Sequence, residues 1–247
     1  MGFNLDKSCV IPNGIDETVF VPLTGARRSV RSELGLPEDA FLLGIMGRYH
    51  PAKDHGNFLQ AAALLSKVHP KTHFLLIGRN VDGKNRKLCH SIEQLGLASR
   101  THLLGERHDT ARLCAALDVF SLSSSYGESF PNVVGEAMAC EVPCVVTDIG
   151  GTPWMVGQTG RVVPPRDPRA MAEAWQELIN LGQEERRALG REARARVVEH
   201  FTLKAVAERY VSLYEKVLAG KNPPELTCPV QGALATLGTT LEETGAQ

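Results

Sequence analysis

The sequence has 247 residues, of which 43% are hydrophobic and 22% are charged, an ordinary composition for a soluble globular protein. A chain of this length can form one large α/β domain or two small ones, each with a sizeable core. Its formal net charge of -1 gives no electrostatic basis for binding nucleic acid or an anionic membrane surface. We therefore expect no nucleic-acid partner, and any phosphate binding has to be local.

The cysteines predict neither a disulfide framework nor a metal site. None of the six forms a C-x-x-C pair, and Cys140 and Cys144 have Pro143 between them and no second pair nearby. Reduced, structural thiols in a cytoplasmic protein are the expectation. The sequence also lacks a basic-plus-apolar leader and an apolar run of about 18 residues, so we expect neither secretion nor a membrane span.

The first residues predict a short strand over 8–11, followed by a turn at Pro12-Asn13-Gly14. A domain that opens almost at once on a strand and a tight turn is what we expect of a piece cut from a longer protein.

Apolar segments typical of buried strands then alternate with helical patterns. Strands are predicted at 41–47, 73–77, 101–104, 119–122, 143–147 and 160–163, and helices at 57–68, 84–95, 110–117 and 131–140. This alternation with short connections predicts an α/β fold with a Rossmann-like, doubly wound parallel sheet. Right-handed crossovers bring the carboxyl ends of the strands to one edge, where such folds bind ligands.

Three of the first four strands end in a glycine, at Gly47, Gly78 and Gly105. Glycine lets a ligand approach the backbone closely, although each of these could also be an ordinary turn glycine. Their matched positions favour a ligand site at this edge.

Beyond Pro168 the pattern changes to three helices, predicted at 169–180, 183–199 and 203–218. Five arginines of the second helix alternate with glutamates, which predicts a solvated, salt-bridged face rather than a nucleic-acid site. They are Arg186, Arg187, Arg191, Arg194 and Arg196. Residues 220–247 are rich in Gly, Pro, Thr and Ala with weak periodicity. We therefore divide the chain into one domain, residues 1–220, and a disordered tail, residues 221–247.

The most informative segment holds two carboxylates, Glu128 and Glu136, eight positions apart. Pro131 is a good first-turn residue of a helix, and Ser129 ahead of it is a plausible cap. The free N–H groups of residues 130–133 should then form an anion site at the helix N-terminus. Glu136 lies too deep to be a capping carboxylate. The arrangement suits a ligand with phosphates and several hydroxyls.

A second group follows the first strand, at Gly47 to Asp54. Arg48 offers a planar fork of donors and Lys53 a point charge, which together suit a diphosphate. Alternatively they are two surface cations, one of them paired with Asp54. Their place on the same sheet edge as the helix that starts at Pro131 favours the diphosphate.

Taken in order, these motifs resemble the C-terminal, donor-binding half of the retaining GT-B glycosyltransferases of family 4, the glycosyl transferases group 1. The resemblance covers about residues 8–218. Any one motif is weak, but the ordered set is specific. It comprises Val10 to Asp16, Gly47-Arg48, Lys53-Asp54, Glu128 to Ala139, Pro143 to Val146 and Thr159 to Pro165.

The resemblance implies that the chain binds a UDP- or GDP-sugar donor for transfer to a glycan or lipid-linked acceptor, in polysaccharide or lipopolysaccharide biosynthesis. Arg48 and Lys53 would hold the diphosphate and stabilise it as a leaving group. Glu128 would face the donor sugar, and Glu136 would accept hydrogen bonds from the ribose hydroxyls. The other implied donor-binding residues border the base or present the helix end: Gly47, Gly78, Arg79, Arg107, Ser129, Phe130, Asn132 and Val133.

The resemblance also implies that no metal or other cofactor is needed, because cations and oriented N–H groups favour the departing diphosphate. Retention of configuration could proceed by double displacement through a carboxylate nucleophile. The resemblance instead favours front-face attack assisted by the leaving phosphate. Glu128 is therefore not assigned as a nucleophile.

The chain departs from the family pattern in three ways. Glu141 stands where glycine is usual, at a cost of about 1 kcal/mol if its backbone is left-handed. Trp154 stands where an acidic residue is frequent, and either packs near the acceptor or sugar or belongs to the core. The N-terminal acceptor domain of a GT-B enzyme is missing. We expect the isolated chain to bind nucleotide but transfer sugar poorly, with any inner-membrane association in the missing half.

Two other functions remain open at this point. A nucleotide-sugar epimerase on the same scaffold would release a rearranged sugar without an acceptor, and a non-catalytic module would bind the sugar nucleotide only. A dinucleotide-dependent oxidoreductase is disfavoured because no G-x-G-x-x-G motif follows the first strand.

Overall fold

The computed structural model describes residues 9–220. The proposed tail and Cys228 lie outside this range, so the domain division stays a prediction. Residues 9–220 form six strands, nine α-helices and one short 3-10 helix, Pro51–Lys53. The strands are β1 (Phe41–Met46), β2 (Thr72–Ile77), β3 (Thr101–Leu103), β4 (Val119–Leu122), β5 (Cys144–Thr147) and β6 (Gly160–Val163). The helices are α1 (Ala26–Glu33), α2 (His55–Val68), α3 (Arg86–Gln94), α4 (Thr110–Ala115), α5 (Asn132–Ala139), α6 (Thr152–Val156), α7 (Pro168–Asn180), α8 (Gly182–His200) and α9 (Leu203–Leu218).

The strands form one parallel sheet in the order β3-β2-β1-β4-β5-β6. The predicted doubly wound, Rossmann-like architecture is therefore confirmed. The central pair is in continuous register, from Phe41 opposite Thr72 to Met46 opposite Ile77. The strand order changes direction between β1 and β4, which is where folds of this type leave a crevice for a ligand.

Helices cover both faces of the sheet, which explains the uninterrupted apolar sequences of the strands. On one face α1, α4, α5 and α8 pack on the sheet around Phe120 and Phe201. On the other, α2, α3 and α7 pack around Phe58, Phe74 and Trp175. The Trp175 ring lies 5.2 Å from that of Phe58, centroid to centroid, in an edge-on contact. Each fully buried large side chain contributes roughly 1.5–3 kcal/mol to folding.

Two helices were not predicted from the sequence. Helix α1 is mostly polar, and Arg31, which is 1% exposed, belongs to its buried residues. Its guanidinium lies 2.6 Å from the Asp118 carboxylate and donates to the carbonyl of Ala40. An ion pair here replaces the apolar periodicity that would have indicated a helix. Helix α6 has only five residues, too few for a periodic pattern.

The strand predicted at 8–11 is wrong for its described residues, 9–11, which have no regular structure. The residues that follow, Gly14 and Ile15, pack on the junction between α8 and α9, where Ile15 forms an isolated parallel bridge with Thr202. A Cβ at Gly14 would lie 2.9 Å from the Cα of Leu203, so glycine permits this close approach.

The prediction of a solvated arginine face on α8 is only partly right. Arg187 pairs with Glu184 at 3.2 Å as expected. Arg186, Arg194 and Arg196, however, are half-buried and donate to backbone carbonyls at the ends of α7, α5 and α6 respectively. The last carbonyls of a helix lack intrahelical donors and carry partial negative charge, so a guanidinium satisfies them.

The two unusual residues of the pattern have structural explanations. Glu141 has φ 60°, so its backbone after α5 is left-handed and the cost of about 1 kcal/mol given for that case applies. A Cβ at Gly190 would lie 2.0 Å from the Glu141 carbonyl oxygen, which shows how tightly α8 packs on this turn. Trp154 is half-buried and packs against the core, with its ring 5.9 Å from that of Phe130 and 5.1 Å from that of Phe201.

Cys114, Cys140 and Cys144 are buried free thiols of the core beside α4, α5 and β5. Among the helices of residues 9–220, we find none with both the length and the apolar character needed to cross a membrane.

Candidate functional site

Backbone hydrogen bonds join the loops that follow the first three strands. Tyr49, after β1, donates its N–H to the carbonyl of Arg79, after β2, at 2.8 Å. Gly78 donates in turn to the carbonyl of Gly105, after β3, at 2.8 Å. The predicted strand-end residues therefore form one continuous edge.

The loop after β4 is attached to the same edge across the point where the strand order reverses. Ser125 donates its N–H to the carbonyl of Ala52 at 2.8 Å. The buried hydroxyl of Ser123 donates to the carbonyl of Lys53 at 2.7 Å and lies 3.1 Å from that of Asp54. These contacts fix the turn of residues 51–53 against the β4 loop, beside the crevice between β1 and β4.

Lys53 and Glu128, predicted to act on different parts of one ligand, are in direct contact. The Lys53 ammonium nitrogen lies 2.5 Å from Oε1 of Glu128, and the two side chains are only 22% and 7% exposed. The hydroxyl of Ser124 donates to the same oxygen at 2.5 Å. Lys53 therefore pairs with Glu128, and the alternative pairing with Asp54 is wrong. Asp54 instead caps α2 by accepting from the N–H of Asn57 at 3.1 Å.

Helix α5 begins one residue later than predicted. Pro131 is the N-cap and Asn132 the first helical residue. Ser129 does not cap the helix because it lies too far upstream; its carbonyl accepts from the N–H of Gly151 at 3.0 Å. No side chain within residues 9–220 caps α5, so its first N–H groups, including that of Val133, stay available to an anion.

Two neighbours hold this helix start in place. Asn13 donates its side-chain amide to Oδ1 of Asn132 at 2.9 Å and to the carbonyl of Phe130 at 3.2 Å. From the other side, a Cβ on Gly150 would lie 1.7 Å from the carbonyl oxygen of Glu128. The backbone around Glu128 is therefore packed against the β5–α6 loop without spare room.

Glu136 lies half-buried on the second turn of α5. Burial alone raises the pKa of its carboxyl above the ordinary value. Its carboxylate makes no hydrogen bond or ion pair with any other part of the described chain. Its oxygens are not among the buried, unpartnered polar atoms of the described chain, so they reach solvent and are open to a hydrogen-bond donor of a ligand.

The three predicted arginines differ in their surroundings. Arg48 and Arg79 are exposed at the strand ends. Arg107 is committed to other side chains, since its guanidinium lies 2.8 Å from the Asp109 carboxylate and 2.9 Å from that of Glu33. The hydrogen bonds from Arg107 and, to a smaller extent, Arg112 hold the pKa of the Asp109 carboxyl well below its usual range. Arg107 thus fixes the β3–α4 loop to α1.

The glycines at the strand ends also differ. Gly78 and Gly105 have φ 145° and 66°, conformations that explain glycine without a ligand. A Cβ on Gly78 would also lie 2.2 Å from the Gly47 carbonyl oxygen. Gly47 is different, because a Cβ there would make only ordinary contacts of 3.5 Å with the Lys53 side chain. Of the three glycines, Gly47 is therefore the one that the backbone does not explain and that close approach of a ligand would explain.

Three residues of this site were missed as functional candidates. Ser124 and Gly150 gave no specific signal, because serine and glycine are common in loops. Asn13 was given only as part of a turn and of the family motif Val10 to Asp16, without a role of its own. As for metal binding, across residues 9–220 no three His, Cys, Asp or Glu side chains lie together in a way that could hold an ion.

Comparison with known proteins places this geometry in a family. Residues 26–196 match the family described as glycosyl transferases group 1. The chain is 32% identical over 185 residues to a D-inositol 3-phosphate glycosyltransferase of Stackebrandtia nassauensis, covering 70% of this chain and 41% of the relative. It spans less than half the length of such curated relatives.

Solved structures give the same fold. HepE of Anabaena, solved in complex with UDP, is 25% identical with a TM-score of 0.76, covering 86% of this chain and 57% of HepE. The C-terminal domain of the group 1 glycosyl transferase LpcC from Francisella tularensis is covered over 100% of its length and 77% of this chain, with 24% identity and a TM-score of 0.66. The fold is therefore that of the C-terminal half of a GT-B glycosyltransferase, and the chain belongs to the glycosyl transferases group 1 family.

Proposed function

We propose that this chain is the donor-binding half of a retaining family 4 glycosyltransferase and binds a UDP- or GDP-sugar. The observation that carries the proposal is the grouping at one sheet edge of the paired Lys53 and Glu128 with the uncapped start of α5. The unpartnered Glu136 lies one turn further along the same helix.

The diphosphate would lie between Arg48, Lys53 and the start of α5. Lys53 can donate to a phosphate oxygen while it keeps Glu128, since an ammonium has three donors. Glu128 neutralises much of the Lys53 charge, so Arg48 and the α5 N–H groups supply most of the remaining attraction for the anion. In this proposal the cations and N–H dipoles stabilise the diphosphate, so the site needs no metal ion.

Glu136 would accept hydrogen bonds from the ribose hydroxyls, and Glu128 would face the donor sugar. The ribose hydroxyls would supply hydrogen-bond donors to the half-buried Glu136 carboxylate, which has no partner in the described chain. The loops after β2 and β3, which contain Gly78, Arg79 and Arg107, would border the base.

Sugar transfer would proceed by front-face attack. As the bond from the sugar to the diphosphate breaks, negative charge grows on the phosphate, which Arg48, Lys53 and the α5 N–H groups favour over the ground state. The leaving phosphate would take the acceptor proton. Glu128, held by Lys53 and Ser124, would orient the sugar rather than attack it.

The acceptor would bind to a second, N-terminal GT-B domain. This follows from the greater length of the curated relatives, of which this chain spans less than half. The acceptor would be a glycan or a lipid-linked glycan of polysaccharide or lipopolysaccharide biosynthesis at the cytoplasmic side of the membrane.

Thermal unfolding with and without UDP, GDP and ADP tests donor binding. A nucleotide at about 100 times its Kd should add about 2.7 kcal/mol to the free energy of unfolding. The double variant Arg48→Ala/Glu136→Ala should lose most of this stabilisation. A matched control, Arg191→Ala/Glu192→Ala, removes the same charges from the exposed face of α8 and should keep it.

The proposal fails if no nucleotide stabilises the chain, or if the Arg48/Glu136 variant responds as the wild type does. Product analysis with the acceptor half supplied then separates transfer from the alternatives. A free rearranged sugar would indicate an epimerase, and no product at all would indicate a binding module.

A further inference from the structure

Both donors that reach the Glu128 carboxylate bind the same oxygen. The Lys53 ammonium and the Ser124 hydroxyl each lie 2.5 Å from Oε1. Over residues 9–220 the second oxygen, Oε2, accepts no hydrogen bond. The carboxylate therefore has one occupied and one available acceptor.

Ser124 is held rigidly at the end of β4. It is 0% exposed, and its carbonyl accepts from the hydroxyl of Thr147, on β5, at 2.6 Å. The carbonyl of Thr147 accepts in turn from the hydroxyl of Thr152, at the start of α6, at 2.5 Å. These buried hydroxyl contacts fix the backbone of Ser124, so its side chain can direct the carboxylate that it binds.

The backbone of Lys53 is fixed by the neighbouring serine. The hydroxyl of Ser123 donates to the Lys53 carbonyl at 2.7 Å, and Ser123 is also 0% exposed. Two adjacent residues of one strand end therefore hold the cation and the carboxylate of the same pair. Gly150 completes the support, because its backbone lies against the Glu128 carbonyl.

We propose that Ser124 is a positioning residue that occupies Oε1 of Glu128 together with Lys53, so that Oε2 is presented to a single hydroxyl of the donor sugar. This inference rests on the proposed function. An ionised carboxylate only accepts hydrogen bonds, so the matching group on the sugar has to be a hydroxyl. A site that pairs a largely buried acceptor with one hydroxyl discriminates against a sugar that lacks it.

The test compares two ligands of the isolated chain, the free nucleotide and its sugar nucleotide. UDP with UDP-glucose and GDP with GDP-mannose are the probes, and calorimetry gives both Kd values. Ser124→Ala should change the Kd of the nucleotide by less than about twofold and weaken the sugar nucleotide by about 5- to 10-fold, the effect of one lost hydrogen bond.

Ser125→Ala is the matched control. Ser125 is the next residue, and its hydroxyl makes only a 3.5 Å contact with the Pro51 carbonyl. It should leave both Kd values unchanged. Ser124→Cys keeps the side-chain size with a weaker donor and should fall between wild type and Ser124→Ala. It also serves as the second variant if the alanine protein does not fold.

The outcomes separate the two proposals. If wild-type protein binds neither nucleotide, the proposed function fails and this inference fails with it. If wild-type protein binds nucleotide but Ser124→Ala and Ser124→Cys weaken nucleotide and sugar nucleotide equally, or weaken neither, only the role of Ser124 is overturned. Selective loss for the sugar nucleotide supports it.

Discussion

The ammonium nitrogen of Lys53 lies 2.5 Å from Oε1 of Glu128, across the point where the sheet reverses its strand order between β1 and β4. The cation comes from the turn after β1 and the carboxylate from the loop after β4. Their contact therefore joins the loops on the two sides of the crevice between β1 and β4. It also places a group suited to phosphate beside one suited to a sugar hydroxyl, which is the separation of roles that a sugar nucleotide requires.

Breaking this pair should destabilise the chain. Lys53→Met leaves the Glu128 carboxylate, 7% exposed, without its cation and should lower the free energy of unfolding by about 1–3 kcal/mol. Adding Glu128→Gln should recover part of the loss, because the uncompensated charge disappears. Urea unfolding of the two single variants and the double variant measures the coupling.

Lys71 provides the control for the Lys53 experiment. It pairs with Asp39 at 2.7 Å, but the two side chains are 78% and 64% exposed. Lys71→Met should leave the urea midpoint unchanged, since solvent screens exposed pairs. A Lys53→Met midpoint equal to that of Lys71→Met would show that the buried pair contributes nothing to stability.

Removing the charge of Glu136 should stabilise the unliganded chain and weaken nucleotide binding. Burial raises the pKa of this carboxyl in the folded state. The folded protein then holds the proton more tightly than the unfolded chain, so its stability falls as pH rises above the ordinary carboxyl pKa. Glu136→Gln avoids this cost, and on a chain of this size about 1 kcal/mol corresponds to about 2–4 °C in Tm.

Melting curves between pH 4 and pH 7.5, with and without nucleotide, check this prediction. The Tm advantage of Glu136→Gln should grow as pH rises, while its nucleotide-dependent increase in Tm should shrink. Glu192→Gln, on the exposed surface of α8, is the control and should alter neither. An advantage that is independent of pH would argue against a buried, ionised Glu136.

The elements that the sequence predicted well are those specified by local patterns. The apolar run of β1 and the identical limits of β4 and β6 follow from burial on both sheet faces. Glu128 and Glu136 could be singled out because a helix start and its carboxylates lie within a short stretch. Parallel topology alone then placed this segment on the same sheet edge as Arg48 and Lys53.

What could not be predicted depends on partners far apart in the sequence. Serine hydroxyls satisfy many acceptors, so nothing local shows that Ser124 binds Glu128 while Ser123 binds the Lys53 carbonyl. The arginines of α8 look like members of a surface charge pattern, whereas Arg194 reaches Phe20, 174 positions away. Helix α1 was missed for the same reason, since its buried Arg31 depends on Asp118.

Alanine at Gly150 should disturb both stability and the site. The residue has φ 59°, and a Cβ there would lie 1.7 Å from the Glu128 carbonyl oxygen. Gly35 has a similar φ of 65° with nothing within 4 Å of its Cβ position, so Gly35→Ala measures the left-handed strain alone. Gly150→Ala should cost about 1–3 kcal/mol more than Gly35→Ala, because the backbone of Glu128 has to move.

Chemical unfolding of the two glycine variants gives this difference in stability. Their Kd values for the sugar nucleotide show whether binding is weakened as well. Gly35→Ala should bind as wild type does. Equal costs for the two substitutions would mean that the loop around Gly150 relaxes freely and does not position Glu128.

Arg194 should contribute more to stability than the exposed Arg191 of the same helix. Its guanidinium donates to the carbonyls of Phe20, Glu17 and Ala139, and so joins the N-terminal segment and the end of α5 to α8. Arg194→Ala leaves these carbonyls without donors and should cost about 1–3 kcal/mol. Arg191→Ala, at an exposed position three residues earlier, should have little effect in the same urea titration. Similar midpoints for the two variants would contradict the structural role.

His55 should make the stability of the chain depend on pH below neutrality. Its ring is 3% exposed, and neither ring nitrogen has a hydrogen-bond partner in the described chain. Burial, with a smaller contribution from Lys53, lowers the pKa of His55 to about 4. The unfolded chain then binds a proton that the folded protein excludes, so stability is full above the ordinary histidine pKa and is lost as pH falls towards 4. Between pH 7.5 and pH 5 this one group should remove about 2 kcal/mol.

The measurement is urea unfolding of wild type and His55→Leu at these two pH values. The leucine variant should lose less stability on acidification by about 2 kcal/mol, even if its stability at pH 7.5 is lower. His90→Leu removes a histidine from an exposed position of α3 and should follow the wild-type pH dependence. Because His73 and His102 also have pKa values lowered by burial, wild-type acid sensitivity alone does not identify His55. Parallel pH profiles for His55→Leu and His90→Leu would show that the buried imidazole at the start of α2 is not the group that titrates.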